Sequence, residues 1–361
     1  MEASLFSGIT DKYFKLVVGQ ITELCNGEKV DSKLLHKTML TEAYSVDLKW
    51  GSTEINNQVV AADVVSTDVT IPLKLRPVMR NASGTLPKIG IKKRKGEKDI
   101  LDINTMIALG TDEADVAAKI FDDTKTCIKG VDVRNEIMFQ QALSGGVALA
   151  EDVDDTTVGV RVDFGYKEEN TVRPSKAWSN SAAKPVTDLR AMFDKASDNG
   201  DTIEHVYLQR EYFNYLRNSV EGKQLSAFAA NINVSDNSVL PLPTRSNFLS
   251  VLRDEFGATF HIVEGSFRIE LPSGELKTVQ PWSEGMVVGT PSENVGRLVY
   301  GRLAEETNPV KNVEYQKSGA FTLVSKYSKN DPLEEFTCAQ AMCLPVIDGV
   351  SSIYRVNAAN K

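Results

Sequence analysis

The chain of 361 residues has little of what disulfide frameworks and metal sites require. It holds three histidines and four cysteines: Cys25, Cys127, Cys338 and Cys343. No two cysteines form a CxxC pair, and no histidine lies within ten residues of a cysteine. We therefore expect free thiols and no zinc site.

Long apolar runs are also missing. No stretch reaches the roughly 18 uninterrupted apolar residues of a membrane-spanning helix. The first residues, MEASLFSGITDKYFK, lack a basic flank followed by an apolar block, so we expect no signal peptide. With 42% hydrophobic and 25% charged residues, the composition is typical of a soluble globular protein.

Motifs that carry catalysis or nucleotide binding are missing too. The sequence has no phosphate loop, GxGxxG turn, GxSxG elbow, HExxH helix or EF-hand loop. The adjacent acids Glu168 and Glu169 could act as an acid/base pair, and the acidic run 151–155 could bind calcium, but we favour solvated loops for both. We expect no catalytic residue, no cofactor and no metal.

Positive charge is concentrated in one segment. Between Ile71 and Lys98 there are nine basic residues and one acid, which gives that segment a net charge of +8 and leaves −16 for the rest of a chain of net charge −8. The acidic stretch 99–123 follows at once, with seven acids against Lys119. The nine basic residues are Lys74, Arg76, Arg80, Lys88, Lys92, Lys93, Arg94, Lys95 and Lys98.

Three interpretations of the basic segment are open: contact with nucleic acid, an exposed solvated tip, or docking on an acidic protein surface. No aromatic residue for base stacking lies between Ile71 and Asp99, and the chain has a pI of about 5.2, so nucleic acid is disfavoured. We favour docking, with the acidic stretch as the matching surface. The two could pair within one subunit, or between neighbours if the segment projects.

Hydrophobic periodicity predicts the elements of the first half. Apolar residues recur at helical spacing over 11–25, 32–40 and, longest of all, 111–143, where Gly130 is expected to bend the helix. β-Branched residues predict a strand over 58–79, and the turn-like 81–84 followed by alternating Ile89 and Ile91 predicts a long basic hairpin over about 67–98. A strand is predicted over 158–164.

The second half alternates helices and strands, which predicts a compact α/β unit. Helices are predicted over 186–196, 209–220 and 247–256, and strands over 204–208, 259–263 and 286–288. Residues 267–271 and 276–279 predict a hairpin. Two final strands, 321–327 and 336–346, must pair with something earlier in the chain.

Several blocks together resemble the lambda-like major capsid protein E family of tailed bacteriophages. They are Val162-Asp163-Phe164-Gly165 with Glu168-Glu169-Asn170, Trp178 and Asp188-Leu189; Met286-Val287-Val288-Gly289 with Gly296-Arg297-Leu298 and Tyr300-Gly301; and Asp331-Pro332 with Glu335-Phe336-Thr337, Gln340-Ala341 and Leu344-Pro345. Glu42-Ala43-Tyr44 is similar to a further block. The resemblance covers about 40–356, with 219–244 matching poorly.

The resemblance implies an α+β capsid fold with an N-terminal arm, a projecting E-loop, a P-domain with a spine helix, and an α/β A-domain. The implied bounds are 1–66 for the arm and start of the platform, 67–98 for the E-loop, 99–185 for the P-domain with its spine helix at about 111–143, 186–300 for the A-domain, and 301–361 for returning strands.

The function implied is a structural one. The chain would self-assemble into pentamers and hexamers of an icosahedral head that encloses double-stranded DNA nonspecifically, in the virion, after assembly in the host cytoplasm. Scaffolding, portal and decoration proteins are the implied partners, and no membrane is. The nine basic residues would contact a neighbour's acidic helix start at Asp112, Glu113, Asp115, Asp122 and Asp123.

Other functions stay open at this point. An encapsulin-like protein compartment shares the implied fold. An acidic α/β enzyme with an unrecognised carboxylate site and a nucleic-acid-binding module that uses the basic segment are less favoured.

Overall fold

The structure is a computed structural model that describes residues 2–26, 34–51, 83–150, 160–230, 240–271 and 273–360. Its α-helices are α1 Ser7–Asn26, α2 His36–Met39, α3 Glu97–Ala108, α4 Glu113–Ile120, α5 Asp122–Gly145, α6 Pro185–Asp198, α7 Arg210–Asn218, α8 Val220–Ala229, α9 Arg245–Phe256 and α10 Ala304–Thr307.

The strands are shorter and more numerous. They are β1 Leu40–Tyr44, β2 Lys49–Gly51, β3 Ser83–Thr85, β4 Lys88–Lys95, β5 Val147–Ala150, β6 Val160–Asp163, β7 Thr171–Val172, β8 His205–Gln209, β9 Thr259–Val263, β10 Phe267–Glu270, β11 Leu276–Val279, β12 Met286–Thr290, β13 Gly296–Gly301, β14 Glu314–Ser318, β15 Thr322–Lys329, β16 Glu334–Ile347 and β17 Tyr354–Asn357.

The described chain divides into two compact units. The first contains Met1–Trp50, Ser83–Phe139 and Arg297–Val346, and the second contains Gln140–Gly296 and Ile347–Lys361. In the first unit a sheet runs in the order β1-β13-β16-β15-β14, with β4 paired to β16. The predicted C-terminal strands thus do pair with earlier segments.

Helix α1 confirms the first predicted helix. Its stripe of Phe14, Val18 and Ile21 is buried, and the Phe14 ring stacks on Phe121 with 6.0 Å between ring centroids. The second predicted helix, over 32–40, is only the single turn of α2. Residues 27–33 lie outside the described residues.

The predicted long helix is wrong in one respect, because it is two helices. Helix α4 ends at Ile120 with Phe121 as its C-cap, and α5 starts at Asp122. Phe121 is buried, and its carbonyl accepts a hydrogen bond from Thr124 N at 3.0 Å, which starts a new turn. Paired acids favour a helix N-terminus, so Asp122 and Asp123 were the available signal for the break. Gly130, where a bend was predicted, lies within α5.

Helix α3 was not predicted, because its first residues were assigned to the basic hairpin. Its spacing of buried Ile100 and Ile103 is helical, and Gly96 precedes it at the N-cap position. Asp99 then accepts a hydrogen bond from Gly96 N at 3.2 Å. The change from period two to period three at Gly96 was the sequence signal for this helix.

The predicted hairpin is described only from Ser83 onward, and its first limb and the strand over 58–79 lie outside the described residues. The second limb is strand β4, as the alternation of Ile89 and Ile91 predicted. Ser83 and Gly84, placed in a turn, instead belong to β3, which pairs with β2.

The second unit is built around a five-stranded sheet of order β7-β17-β12-β8-β9. Strands β8 and β9 are parallel, and β12 is antiparallel to both β8 and β17. The core on one face packs Val206, Leu208 and Phe260 of the sheet against Leu189 of α6 and Phe248 of α9. The predicted α/β unit is therefore confirmed in its elements, with α8 the helix that was missed.

Turns and termini in the second unit follow local chemistry. Pro185 begins α6, where its missing N–H costs no hydrogen bond. The hairpin β10–β11 pairs Phe267 with Val279 and turns through Gly274. Gly257 ends α9 in the left-handed region at φ +67°.

All four cysteines are free thiols, as predicted. Burial raises the pKa of the Cys127 and Cys343 thiols to about 12, so neither ionises near neutral pH. Among the described helices, none is long and apolar enough to cross a membrane.

Candidate functional site

The basic strand β4 pairs with β16 of the sheet in the first unit. It runs antiparallel to β16, with Lys95 opposite Glu335 and Lys88 opposite Met342. Because side chains alternate across a strand, Ile89, Ile91, Lys93 and Lys95 share one face and Lys88, Gly90, Lys92 and Arg94 share the other. The first face is covered by α5: a Cβ at Gly130 would lie 3.1 Å from Ile91 Cδ1.

Lys95 is buried on the covered face and held by acids at the start of α5. Its Nζ donates to Asp122 and lies 3.2 Å from Asp123 Oδ2. Burial alone would lower the pKa of Lys95, but the hydrogen bond and charge of Asp122, with those of Asp123, raise it above the usual value. This basic residue and two of the predicted acids therefore meet within one chain.

Three further basic residues of β4 have partners in the same unit. Lys88 Nζ lies 2.8 Å from Glu305 Oε1, and Arg94 Nη1 lies 2.6 Å from Glu334 Oε1. Lys92 Nζ lies 4.4 Å from the centroid of the Phe336 ring. The charge that β4 leaves for another molecule is thus smaller than its sequence indicates.

The other predicted acids are divided among three roles. Asp112 caps α4 by accepting a hydrogen bond from Ala114 N at 3.2 Å. Glu113 lies 2.8 Å from Lys12 Nζ of α1, and that hydrogen bond lowers the pKa of Glu113. Asp115 is exposed in the first turn of α4 and forms no ion pair with a described residue.

Residues of α3 and α4 expose apolar and acidic side chains. Leu101 of α3 is 64% exposed and Leu109, directly after α3, is 79% exposed, although Ile100 and Ile103 of α3 are buried. Asp102 and Asp115 are exposed on the two helices. We name this set, Leu101, Asp102, Leu109 and Asp115, the acidic–apolar surface.

A buried ion pair that was not predicted from the sequence lies beneath the N-terminal residues. Lys326 and Glu335 are both buried, with Nζ and Oε1 3.6 Å apart. Lys326 Nζ also donates to the Ile120 carbonyl at 3.3 Å and to Thr337 Oγ1 at 3.2 Å. Burial lowers the pKa of Lys326, which the charge of Glu335 opposes.

The same carboxylate holds the start of the chain. Ser4 Oγ donates to Glu335 Oε1 at 2.5 Å, and Leu5 N donates to Oε2 at 3.0 Å. Glu2 and Ser328 form a two-way backbone bridge with both N–O distances 3.0 Å. A buried carboxylate is tolerated when its lone pairs are satisfied in this way.

Several residues that carried the sequence resemblance have structural contacts. Trp178 is buried, and its Nε1 donates to Asp188 Oδ2 at 2.9 Å. Asn170 Nδ2 donates to the Ser351 carbonyl at 2.7 Å. A Cβ at Gly301 would lie 2.3 Å from Leu48 Cδ2, so any larger residue there would require the Leu48 side chain to move. Glu168 is exposed and pairs with Arg173 at 3.0 Å, the arrangement of a solvated loop.

The remaining predicted residues divide into two groups. Lys93 lies on the covered face of β4, and Lys98 is exposed at the start of α3. Lys74, Arg76 and Arg80 lie outside the described residues, so their predicted contacts stay predictions. Among the residues that are described, no group of three histidine, cysteine or acidic side chains could hold a metal ion.

Comparison with known proteins decides the family. The profile of the family described as phage major capsid protein E matches residues 28–357. The chain belongs to this family.

Two solved structures have a fold similar to that of this E-family protein. A prophage protein from Escherichia coli CFT073, assigned as a capsid protein, superposes with a TM-score of 0.55 at 13% identity, over 92% of this chain and 97% of that one. A phage-related protein from Bordetella bronchiseptica RB50 superposes with a TM-score of 0.50 at 12% identity, over 94% and 97%. No curated protein matches the sequence.

The family and fold predicted from the sequence are thereby confirmed. The protein is a structural protein of the phage head shell, and capsid proteins of this kind form self-assembling oligomers. The predicted bounds of the N-terminal arm, E-loop, P-domain and A-domain stay predictions.

Proposed function

We propose that copies of this chain form the pentamers and hexamers of an icosahedral head enclosing double-stranded DNA. The observation that carries the proposal is the match to the capsid family over 28–357. The role of each copy is then structural, and the work is done by its contacts with other copies rather than by catalysis.

The contact that we propose joins the acidic–apolar surface to residues 71–80 of a neighbouring copy. Leu101 on α3 and Leu109 directly after it are exposed apolar side chains, so both are available for a contact with another copy. The segment 71–80 alternates apolar and basic residues, with Leu73-Lys74-Leu75-Arg76 at its centre. Leucines and charges of the opposite sign thus match on the two sides.

Single exposed ion pairs contribute little. Each is worth about 0–1 kcal/mol, because water and salt screen it. A closed shell repeats the contact at every subunit, and charge also disfavours wrong registers. The apolar residues supply most of the affinity, and the charges select the register.

The remaining proposed partners are those expected of a head-shell protein. The net negative charge outside the basic segment disfavours tight binding of packaged DNA. Scaffolding, portal and decoration proteins stay expected partners, and assembly in the host cytoplasm stays the expected route.

The test reverses the three basic residues of the segment 71–80, which lies outside the described residues. We expect Lys74→Glu, Arg76→Glu and Arg80→Glu together to leave the circular dichroism spectrum unchanged and to abolish shells in electron micrographs. Reversing Lys95 would not test assembly, because its buried contact with Asp122 holds the subunit itself together.

A matched control makes the same change in net charge elsewhere. Lys176→Glu, Lys184→Glu and Lys277→Glu alter three exposed residues of the second unit. We expect shells from this variant. Shells of normal size from the first variant would contradict the proposed contact, and monodisperse wild-type monomers under all conditions would contradict the proposed function.

A further inference from the structure

Arg355 is a buried cation that forms no ion pair with a carboxylate of the described residues. It lies in β17, opposite Val288 of β12 and Thr171 of β7. The residue is only 5% exposed. A guanidinium taken out of water normally needs an acid and several hydrogen bonds to offset the loss of hydration.

The described residues give Arg355 no acid partner and few hydrogen bonds. Of the five N–H groups of a guanidinium, one has a protein partner: Nη2 donates to Thr171 Oγ1 at 3.0 Å. Nε is buried without a hydrogen-bond partner. The Tyr166 ring lies 4.6 Å from Cζ, which supplies a cation–π contact. No described residue forms an ion pair with Arg355.

The nearest influential acid is engaged elsewhere. The charge of Glu168 favours the protonated form of Arg355, but its carboxylate accepts a hydrogen bond from Arg173 Nη2 at 3.0 Å. Burial nevertheless lowers the pKa of Arg355. Among the described residues, no carboxylate therefore neutralises the charge of the Arg355 guanidinium.

A cleft of about 260 Å³ lies beside this residue. Arg355 and Arg173 line it, together with the hydroxyl-bearing Ser144, Ser283 and Thr171. The Ser144 hydroxyl bonds to the Gln140 carbonyl at 2.6 Å and accepts from Ser283 N at 2.9 Å, so its position is fixed. The Ser144 proton is thus used within the chain, and the groups left to recognise an oxyanion are the Arg355 guanidinium and the hydroxyls of Ser283 and Thr171.

We propose that the cleft beside Arg355 binds a carboxylate group, with Arg355 as its charge partner. A guanidinium fork matches the two oxygens of a carboxylate. Glu168 and Glu284 also line the cleft and offset the charges of the two arginines. The balance favours a singly charged carboxylate over a doubly charged phosphate. Its source is either a small free carboxylate or an Asp or Glu side chain of another copy.

The binding test uses acetate as the probe on the full-length subunit. Sodium acetate is titrated at neutral pH against sodium chloride at equal ionic strength, and the thermal midpoint is recorded. A bound ligand stabilises the folded state by mass action, so we expect a saturable rise with acetate. An equal response to chloride would overturn the proposal.

Variants locate the site. We expect Arg355→Lys, which keeps the charge and loses the fork, to weaken the acetate response about tenfold, and Arg355→Gln to abolish it. Arg190→Gln is the control, since Arg190 is exposed and pairs with Glu255. If Arg355→Gln does not fold, Arg355→Lys decides: a response equal to that of wild type overturns the proposal.

The source of the carboxylate is decided on assembled particles. If a neighbour's side chain fills the cleft, acetate raises the midpoint of free subunits but not of shells. If the ligand is a free carboxylate, both respond. The proposal does not depend on the proposed function, because the subunit titration stands without assembly.

Discussion

At the residue scale, two of the three histidines of the chain share one hydrogen bond. His205 Nδ1 and His261 Nε2 are 3.0 Å apart on the parallel strands β8 and β9. One ring must donate and the other accept, so only one of the two facing ring nitrogens carries a proton. The Tyr207 ring stacks on His261 at 4.7 Å, and Glu293 is the acid whose charge reaches it.

Because of this pair, we expect the free energy of unfolding to fall as the pH falls. Burial and the neighbouring His205 lower the pKa of His261, which Glu293 opposes. In the unfolded chain a histidine titrates near about 6.5. Below that pH the unfolded state binds more protons than the folded state, so the free energy of unfolding falls as the pH falls. Above that pH the contribution is fully present.

The measurement is urea unfolding of the subunit at about pH 7 and about pH 5. We expect the wild type to lose more unfolding free energy between these two pH values than His261→Gln does. Glutamine keeps a polar side chain of similar size but does not titrate. His36 is present in both proteins and cancels in the comparison. Equal losses would show that His261 does not contribute to the pH dependence of stability.

Charge alone could not assign roles to the basic residues. Lys92, Lys93, Arg94 and Lys95 are consecutive in sequence, yet Lys95 is buried on Asp122 while Arg94 is exposed beside Glu334. Strand alternation predicted that neighbours point to opposite faces. Which face is covered depends on α5, which packs there from a distant part of the sequence.

At the element scale, two glycines with the same backbone angle have different surroundings. Gly146 follows α5 at φ +77°, and Gly200 follows α6 at φ +76°. A Cβ at Gly146 would lie 2.0 Å from Tyr166 Cδ2, whereas nothing lies within 4 Å at Gly200. The pair therefore separates backbone strain from side-chain overlap.

We expect Gly200→Ala to cost about 1–2 kcal/mol, which is the cost of left-handed backbone for a residue with a Cβ. Gly146→Ala should cost about 1–3 kcal/mol more, because Tyr166 must move from the added methyl group. Urea unfolding of the two variants gives the difference. Equal costs would mean that Tyr166 moves aside freely.

Helices and strands were predictable where the periodicity of the segment itself was sufficient. The helix over 186–196 and the strand over 259–263 follow from their own periodicity, and both are present. The break between α4 and α5 at Phe121 was not predicted, because the apolar stripe continues across it. Its cause is tertiary: Phe121 packs on Phe14, and the new N-terminus after it receives Lys95.

At the scale of the whole molecule, the order of blocks said more than any single motif. Each block is weak alone, but their common order predicted the family that the profile match confirms over 28–357. The assembly contact could not be predicted with the same certainty. Four of the nine basic residues, Lys88, Lys92, Arg94 and Lys95, contact partners inside the chain, and three of the four pair with acids.

The proposed contact between copies predicts a charge-swap rescue. Asp102→Lys with Asp115→Lys reverses the acidic–apolar surface and should abolish shells by itself. Both residues are exposed, so the cost to the subunit is about 0.3–1 kcal/mol at the α4 start and the fold is retained. Combined with Lys74→Glu, Arg76→Glu and Arg80→Glu, the two sides again carry opposite charges, and shells should return.

The control for this rescue holds net charge constant. Asp102→Lys and Asp115→Lys combined with the Lys176, Lys184 and Lys277 reversals give the same total charge without a matched contact. Electron microscopy should then show shells from the first combination and none from the second, because a contact depends on where the charges lie. Equal recovery in both would mean that assembly responds to net charge alone, and the specific contact would be wrong.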